Sequence, residues 1–422
     1  MDIQALLQGV DCSCGRHHTC AIRAVRIGRD AIAQLTGLTE RHRAVLLVAD
    51  ENTYAAAGAQ TASALGERLA GQVIFPGAPL LIPNEQAVDA VTAALKGAGA
   101  IVGVGSGVIQ DLCKYVAHTQ GLPYYIVATA PSMDGYASTG AAMILGGMKV
   151  TASCGVPEAI LADTQVLKNA PMDMIQAGYG DIVGKYSALN DWRLSHAVTG
   201  EYFCQAIYDL TFDMLQKTLV LADGLAARDE ESVGVLMEAL VAVGIAMSFA
   251  GSSRPASGSE HHLSHYFEIT GILRGEPYFP HGIDVGYATV LTAKLRQALL
   301  ESPWPKTQYR PEKQAQEREM RRIYGPIAES CAALQEKAGF YRRDMVSVYK
   351  EKEPELRRIL ADMPSPTEIE VMLAAVGLDM APFYSQYRPE ALADAVRYAK
   401  DLKDRYTVLW MHFHLLGGTG RG

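Results

Sequence analysis

Histidines concentrate in one short stretch, residues 257–268. Three of the eleven histidines fall within five residues there, His261, His262 and His265. Because His261 and His265 are four positions apart, they share one face of a predicted helix, and His262 points away from that face. His281 follows 16 residues after His265. Two histidines from separate segments plus a carboxylate would give three ligands and an open position, which is typical of catalytic rather than structural zinc.

The carboxylate must come from another segment, because Glu260 directly precedes His261 and does not give the His-Glu-x-x-His spacing of metalloproteases. The best source is Asp181, which follows a Gly-Tyr-Gly turn at the start of a predicted helix, with Lys185 four residues later. A helix-capping acid with an ion pair to Lys185 is the alternative interpretation. The nearby histidine cluster favours a metal ligand.

A glycine-rich turn joins a predicted strand to a predicted helix. Gly103, Gly105 and Gly107 would let the backbone approach a pyrophosphate, and the helix beyond them offers free N–H groups. The Rossmann pattern G-x-G-x-x-G is not met, because Gln110 stands at the third glycine position counted from Gly105. The turn therefore indicates either phosphate binding or a tight turn that needs positive φ angles.

Two acids near the predicted strand ends also have two interpretations. Asp111 and Lys114 form either an exposed helix pair or an acidic position near the cofactor. Asp50 ends an early predicted strand and could accept hydrogen bonds from ribose hydroxyls, which would favour NAD over NADP. It could equally be the N-cap of the following helix.

The N-terminal segment Cys12 to Cys20 offers three thiols and two imidazoles in nine residues. It lacks the paired Cys-x-x-Cys spacing of a zinc ribbon. An irregular turn packed on the first domain is favoured there, and a bound metal is the alternative.

The elements that position these residues change character along the chain. Up to about residue 165, short apolar runs at 44–50, 71–77, 100–107 and 124–132 alternate with helical patterns. This rhythm predicts a doubly wound α/β domain with a parallel sheet, completed by a hairpin-like stretch at 141–163. From about residue 168 onward the patterns are long and amphipathic, which predicts an all-α second half.

Composition limits the class of protein. The chain has 422 residues, a formal charge of −8 and 49% hydrophobic residues, typical of a soluble globular protein with more than one domain. The basic residues are scattered, which disfavours a nucleic-acid partner. The sequence contains no run of 18 uncharged apolar residues, so no membrane span is expected. Seven cysteines and the absence of a signal-peptide pattern indicate free thiols and a cytoplasmic protein.

Five motifs in order resemble one family, that of sn-glycerol-1-phosphate dehydrogenases, and in particular its bacterial AraM-like branch. The motifs are GVGSGVIQDLCKYVAH, ATAPSMDGYASTGAA, GYGDIVGKYSALNDW, SRPASGSEHHLSHYFE and HGIDVGYAT. The family belongs to the superfamily of dehydroquinate synthase, glycerol dehydrogenase and iron-type alcohol dehydrogenases. The resemblance implies a dehydroquinate synthase-like fold with a nicotinamide-dinucleotide-binding α/β domain at 1–166 and a helical metal- and substrate-binding domain at 167–422.

The resemblance also implies an activity. It is the interconversion of dihydroxyacetone phosphate and sn-glycerol 1-phosphate with NAD or NADP, by hydride transfer at a carbonyl or secondary alcohol that one divalent metal polarises. Zinc, nickel and iron all suit mixed imidazole and carboxylate ligands. A homodimer is expected, with a phosphorylated polyol as the substrate.

Residue roles follow from the resemblance. The metal ligands would be Asp181, His261 and His281, with His265 as a catalytic histidine near the substrate. Asp134 would meet a substrate hydroxyl and act in catalysis. The residues that would contact the cofactor, besides Asp50, are Gly105, Ser106, Gly107, Asp111, Thr129 and Ser132.

Lys185 and Arg254 are assigned to the substrate phosphate mainly for their charge, and Lys185 is also a candidate catalytic residue. Two related activities remain alternatives: a glycerol dehydrogenase that acts on unphosphorylated polyols, and a lyase like dehydroquinate synthase whose redox cycle is internal. A third alternative is a non-enzymatic nucleotide-binding protein that kept the fold.

Overall fold

The computed structural model describes residues 3–146 and 148–418. The chain divides into two compact units. The first unit is Met1–Tyr179 with Gln216–Ser253, and the second is Gly180–Leu215 with Arg254–Gly422.

All strands lie before residue 164 in the part of the chain that the structure describes. They are numbered β1 to β10 in chain order: Val10–Asp11, His17–His18, Ala24–Gly28, Val45–Asp50, Leu69–Phe75, Ala100–Gly105, Tyr124–Ala128, Gly140–Leu145, Met148–Ser153 and Ala159–Asp163.

The α-helices are numbered in the same way. Helices α1 to α12 are Ile3–Leu7, Leu35–Leu38, Glu51–Thr53, Ala59–Leu65, Glu85–Ala94, Gly107–Gln120, Thr164–Leu167, Met172–Val183, Lys185–Thr199, Gln205–Leu219, Ala222–Ala226 and Glu230–Ala250. Helices α13 to α22 are Ser259–Arg274, His281–Glu301, Lys313–Tyr324, Ala328–Ala338, Met345–Glu351, Glu353–Ala361, Pro366–Ala374, Met380–Gln386, Pro389–Tyr398 and Val408–Leu416.

The first unit contains the predicted parallel sheet. Six strands pair in the order β3-β10-β7-β6-β4-β5, and every pair is parallel. In β4, Val45 and Leu47 face one buried cluster with Leu35 and Leu65, whereas Leu46 faces the opposite cluster, which includes residues of α5 and α6. Because both faces are covered, the strand is apolar from Val45 to Ala49. The doubly wound α/β domain predicted from the sequence is therefore confirmed.

The stretch predicted as a hairpin at 141–163 forms two different elements. Strands β8 and β9 are an antiparallel pair, with Gly140 opposite Ser153. Strand β10 instead joins the main sheet between β3 and β7. Strand β3 was not predicted, because it is a short run after the polar N-terminal segment.

The second unit is helical, as predicted, and no strand occurs among residues 164–418, all of which the structure describes. One of its apolar cores surrounds Trp410 and Met411 of α22 and includes Leu194, Leu299 and Tyr349. This core fixes α9, α14, α17 and α22 against one another.

One helix, α12 of the first unit, is long and apolar enough to cross a membrane by length and composition. Of its most apolar 18-residue window, 83% is buried inside the protein. That burial is typical of a central core helix of a globular protein, and it accounts for the apolar sequence.

Candidate active site: a three-residue metal site and a glycine turn

The structure brings together the three residues predicted as metal ligands. Asp181 lies in α8, His261 in the first turn of α13, and His281 begins α14. One ligand atom from each lies within 4.8 Å of the others. Nε2 of His261 is 3.7 Å from Oδ1 of Asp181, and the ring centroids of His261 and His281 are 5.0 Å apart. One carboxylate and two imidazoles at this spacing fit a divalent metal with open positions.

Glycines allow the helices that carry Asp181 and His281 to approach closely. A Cβ atom on Gly180 would lie 2.4 Å from the carbonyl oxygen of Gly282. One turn later, a Cβ atom on Gly184 would lie 2.5 Å from Cγ1 of Val285. Since Gly180 precedes Asp181 and Gly282 follows His281, the contact between the two backbones sets the distance between the two ligands.

The electrostatics of the site favour a negative Asp181 and a neutral His261. Burial raises the pKa of Asp181, but the charges of Lys185, His261 and His281 outweigh burial and lower this pKa to about 2. Burial and the charge of Lys185 hold the pKa of His261 well below its usual range. Metal ligands must be deprotonated, so both groups are in their binding forms near neutral pH.

Glu260 orients His261 and was not identified from the sequence as a functional residue. Its Oε1 lies 2.8 Å from Nδ1 of His261 and accepts a hydrogen bond of 2.7 Å from the N–H of Gly258. An oxygen that accepts from Gly258 can also accept from Nδ1–H, which leaves the lone pair of Nε2 toward Asp181. Carboxylates commonly fix the tautomer of a ligating histidine in this way. Its direct adjacency to His261 was the available signal.

A buried ion pair fixes the start of the histidine helix, and it too was missed. Oδ2 of Asp191 accepts a hydrogen bond of 2.6 Å from the N–H of Ser259, the first residue of α13. Oδ1 of Asp191 accepts one of 2.8 Å from Arg296. Both charged side chains are almost fully buried. An acid at a helix N-terminus stabilises the unpaired N–H groups there.

His265 lies next to the predicted ligands. Its ring stacks on that of His281 at 5.3 Å between centroids, and its Nδ1 is 3.7 Å from Oε2 of Glu268. His265, Glu268 and His281 form a second group whose ligand atoms lie within 4.8 Å of one another. The predicted role of His265 beside the substrate therefore has the necessary proximity, and Glu268 is its acidic neighbour.

The two cations predicted for the substrate phosphate are both held in buried ion pairs. Nζ of Lys185 is 2.7 Å from Oδ1 of Asp181 and also donates to the carbonyl of Ala256. Arg254 binds both carboxylate oxygens of Glu201, at 2.7 and 2.5 Å. Their assignment to the phosphate stays a prediction, and the charge of each is already matched by a carboxylate.

Two other cations, Lys403 and Arg405, gather near the histidine helix. Nζ of Lys403 donates to Oγ of Ser257 at 3.3 Å, and Arg405 donates to the carbonyl of Ser257 at 3.4 Å. Burial lowers the pKa of His262, and the charges of Lys403 and Arg405 lower it further, to well below its usual range. The charge of Lys403 also lowers the pKa of His261, so it acts at the predicted metal site. The sequence offered only their charges, in a region without a recognisable motif.

The glycine turn lies in the first unit, between β6 and α6. The φ angles of Gly103, Gly105 and Gly107 lie outside the left-handed region, so a need for positive φ does not explain these residues. Close packing explains Gly103 and Gly105. A Cβ on Gly105 would lie 2.6 Å from Cβ of Ile109, and one on Gly103 would lie 3.0 Å from Sγ of Cys113.

The first turn of α6 retains the features that phosphate binding needs. Ser106 is its N-cap but makes no capping hydrogen bond with its side chain. Its hydroxyl instead lies 2.6 Å from that of Ser132, and the N–H of Thr129 donates to the carbonyl of Gly105. The predicted cofactor residues of the two motifs are therefore neighbours at the carboxyl end of the sheet, where α/β proteins bind nucleotides.

Asp111, Lys114 and Asp134 also lie in the first unit. Lys114 is fully buried, so the pair is not an exposed helix pair. Oδ2 of Asp111 accepts a hydrogen bond from the N–H of Ala142 at 3.0 Å, which ties α6 to β8. Asp134 is buried in the short turn Asp134–Ala137, whose backbone packs against α12 at Gly244.

Asp50 ends β4 and caps the helix that follows it. Its Oδ1 accepts a hydrogen bond of 2.8 Å from the N–H of Thr53, and the N–H of Asp50 in turn donates one of 3.0 Å to Oγ1 of Thr53. The N-cap interpretation is thus realised. The carboxylate has a second oxygen, so the ribose contact stays a prediction.

Comparison with known proteins places the chain in a family. A family model described as iron-containing alcohol dehydrogenase matches residues 26–171. A glycerol-1-phosphate dehydrogenase (NAD(P)+) of Geobacillus stearothermophilus is 32% identical over 412 residues, which is 94% of this chain and 94% of that protein. Another, from Halalkalibacterium halodurans, is 38% identical over 300 residues, covering 69% of this chain and 75% of that protein.

A solved structure supports the fold. An alcohol dehydrogenase from Oenococcus oeni aligns over 92% of this chain and 94% of its own, with a TM-score of 0.60 at 13% identity. The fold is therefore of the iron-type alcohol dehydrogenase kind that the motifs predicted. Identity of 32% over nearly the full length of a curated relative goes further, and this chain belongs to the glycerol-1-phosphate dehydrogenase family, within the iron-containing alcohol dehydrogenase group of oxidoreductases.

Proposed function

We propose that the chain is a metal-dependent dehydrogenase that interconverts dihydroxyacetone phosphate and sn-glycerol 1-phosphate with NAD or NADP. The observation that carries the proposal is the convergence of Asp181, His261 and His281 within 4.8 Å in a chain of this family. When bound, a divalent ion supplies Lewis-acid polarisation of the substrate carbonyl or hydroxyl, and the nicotinamide gives or takes the hydride. The donor set suits zinc, nickel or iron.

Residues around the site have separate tasks. Asp181, His261 and His281 hold the metal, and Glu260 keeps His261 in its binding tautomer through the 2.8 Å contact. Lys185 keeps Asp181 ionised, since its ammonium is 2.7 Å from that carboxylate. His265, stacked on His281, moves the proton to and from the substrate oxygen. Asp134 orients a substrate hydroxyl.

The phosphate of the substrate binds to Lys403 and Arg405. Both lie beside Ser257, and the charge of Lys403 acts on His261. Lys185 and Arg254, the candidates from the sequence, stay proposed for the same phosphate, each held beside a carboxylate. A phosphate dianion favours cations that can supply charge-assisted hydrogen bonds.

The cofactor binds at the turn between β6 and α6. The N–H groups at the start of α6 and the glycines Gly105 and Gly107 receive the pyrophosphate, with Ser106 and Asp111 beside them. Thr129 and Ser132 contact the nicotinamide half, and Asp50 receives the ribose. The protein acts in the cytoplasm as a homodimer.

A single substitution tests the metal site. His281→Ala removes one of three ligands, so we expect the purified variant to hold one metal ion fewer per chain and to lose its turnover. Metal content by mass spectrometry and NADH oxidation with dihydroxyacetone phosphate measure the two effects. The matched control is His118→Ala, because His118 is exposed in the last turn of α6. Full activity of His281→Ala would contradict the assignment.

A further inference from the structure

The N-terminal hairpin holds a second group of metal-binding side chains. Strands β1 and β2 pair antiparallel, with Val10 opposite His18. Cys12 and Cys14 lie in the turn between them, and their sulfurs and a ring nitrogen of His18 lie within 4.8 Å of one another. We propose that Cys12, Cys14 and His18 bind a zinc-like metal ion, separate from the ion held by Asp181, His261 and His281.

The turn is built to bring the two sulfurs together. The N–H of Cys12 donates to the carbonyl of Arg16 at 3.1 Å, and the N–H of Gly15 donates to the carbonyl of Cys12 at 3.0 Å. Gly15 adopts a φ of +83°, a conformation that glycine takes readily and side-chain-bearing residues rarely adopt. The N–H of Cys14 also points at Sγ of Cys12, at 3.5 Å. This contact orients Sγ of Cys12 within the turn.

His18 is oriented as a ligand by a backbone carbonyl. Its side chain is buried, and Nδ1 lies 3.0 Å from the carbonyl oxygen of Phe249, near the end of α12. A carbonyl only accepts hydrogen bonds, so Nδ1 carries the hydrogen and Nε2 keeps its lone pair. Nε2 lies 3.4 Å from Sγ of Cys14. Histidine ligands of metals are fixed in this way, with the outer nitrogen bonded to a carbonyl or carboxylate.

The donor chemistry selects the class of ion. Two thiolates and one imidazole suit zinc and other borderline or soft ions, whereas the imidazole and carboxylate donors around Asp181 contain no sulfur. Because Nδ1 of His18 is hydrogen-bonded to the carbonyl of Phe249, an ion bound here would tie the N-terminal hairpin to the end of α12.

A neighbouring cysteine provides an internal control. Cys20 belongs to the same segment but not to the group of close ligand atoms. Burial raises the pKa of its thiol, opposed by hydrogen bonds from Ile22 and Ser248. Cys20 is therefore a half-buried thiol with partners of its own, and its replacement by serine leaves the proposed ligands in place.

Cobalt substitution tests the proposal on the whole chain. The protein is stripped with a chelator, reduced, and titrated with Co²⁺ alone. A sulfur-to-cobalt charge-transfer band in the near ultraviolet is expected for the natural chain and for Cys20→Ser. The band should be lost in the double variant Cys12→Ser/Cys14→Ser, which should also hold one metal ion fewer per chain. His281→Ala should keep the band.

A second measurement does not depend on the folding of any variant. Zn²⁺ should slow alkylation of Cys12 and Cys14 in the natural chain, read by peptide mass spectrometry, and leave the half-buried Cys154 unchanged. Absence of the cobalt band, or its persistence in the double variant, would overturn the proposal. Formation of a disulfide between Cys12 and Cys14 in the presence of zinc would overturn it as well. None of these readouts depends on dehydrogenase activity.

Discussion

Gly180 and Gly282 meet backbone to backbone, and a Cβ atom on Gly180 would lie 2.4 Å from the carbonyl oxygen of Gly282. Each glycine is adjacent in sequence to a predicted metal ligand, Asp181 and His281. The distance between the two ligands is therefore set by a contact that tolerates no side chain. Metal affinity in this protein depends on the packing of α8 against α14 as well as on the ligands themselves.

Gly180→Ala should weaken metal binding without touching any ligand. The added methyl group must push α8 and α14 apart, which costs about 1–3 kcal/mol of stability and displaces Asp181 from His281. We expect metal affinity to fall about tenfold or more, measured by competition with a coloured chelator. Gly37→Ala is the control, since nothing lies within 4 Å of a Cβ there. Equal metal affinity of both variants would show that the contact does not set the ligand distance.

Glu260→Ala should reduce metal affinity about 10- to 100-fold, because Nδ1 of His261 loses the carboxylate that fixes its tautomer. Glu260→Gln should lose less, since its amide oxygen can still accept from His261 and Gly258. Isothermal titration of the metal-free protein with Zn²⁺ measures both. Glu276→Gln, on an exposed position, serves as control. Unchanged affinity in the alanine variant would rule out the orienting role.

Lys403→Ala and Arg405→Ala should separate phosphorylated from unphosphorylated substrates. A charge-assisted hydrogen bond contributes about 1.5–3 kcal/mol, so KM for dihydroxyacetone phosphate should rise about 10- to 100-fold. The low rate with dihydroxyacetone should not change, because that substrate has no phosphate. Steady-state kinetics with both substrates test this, with the exposed Lys337→Ala as control. Equal losses with both substrates would place these cations elsewhere in the mechanism.

Acid should destabilise the protein through two buried histidines of α22. Burial lowers the pKa of His412 to about 4 and, with Lys400 and Arg310, lowers that of His414 to about 3, although the Phe340 carbonyl opposes the shift. A histidine of the unfolded chain has a pKa of about 6.5. Between that pH and about 4, the unfolded chain therefore binds more protons than the folded protein. The free energy of unfolding should then fall by up to about 1.4 kcal/mol per pH unit for each histidine.

His414→Gln isolates one of these contributions. Glutamine can still pair with Tyr349 and the Phe340 carbonyl, the two partners of His414. Urea unfolding between pH 6 and pH 4 measures how steeply the free energy of unfolding falls with pH. In the variant this slope should be smaller by the contribution of one histidine. A slope identical to that of the natural chain would show that His414 does not titrate on unfolding.

The fold was largely readable from the sequence, because apolar runs and helical periods reflect burial directly. Strand β4 is apolar from Val45 to Ala49, since both of its faces are covered. Strand β10 was grouped with the hairpin before it, because pairing partners depend on tertiary contacts that local pattern does not contain. The close approach of Gly103 and Gly105 to side chains of α6 was likewise not visible in the sequence, where a positive φ was the only structural alternative to phosphate binding for those glycines.

Ligand positions were predicted from residue type and spacing, but their supports were not. Glu260 and Asp191 look like ordinary helix acids in the sequence, and only the structure shows one against His261 and the other at the start of α13. Lys403 lies more than 130 residues after His265, in a stretch without a motif. Charge alone had favoured Lys185 and Arg254, because their carboxylate partners are apparent only in three dimensions.

We propose that this chain uses a metal to reduce a phosphorylated ketone with a nicotinamide cofactor. The most direct measurement is NADH and NADPH oxidation with dihydroxyacetone phosphate and with dihydroxyacetone, after chelation and after addition of zinc, nickel or iron. We predict no turnover after chelation, recovery with metal, and a strong preference for the phosphorylated substrate. Equal use of dihydroxyacetone, or metal-independent turnover, or no net NAD(P)H oxidation with either substrate, would contradict the account.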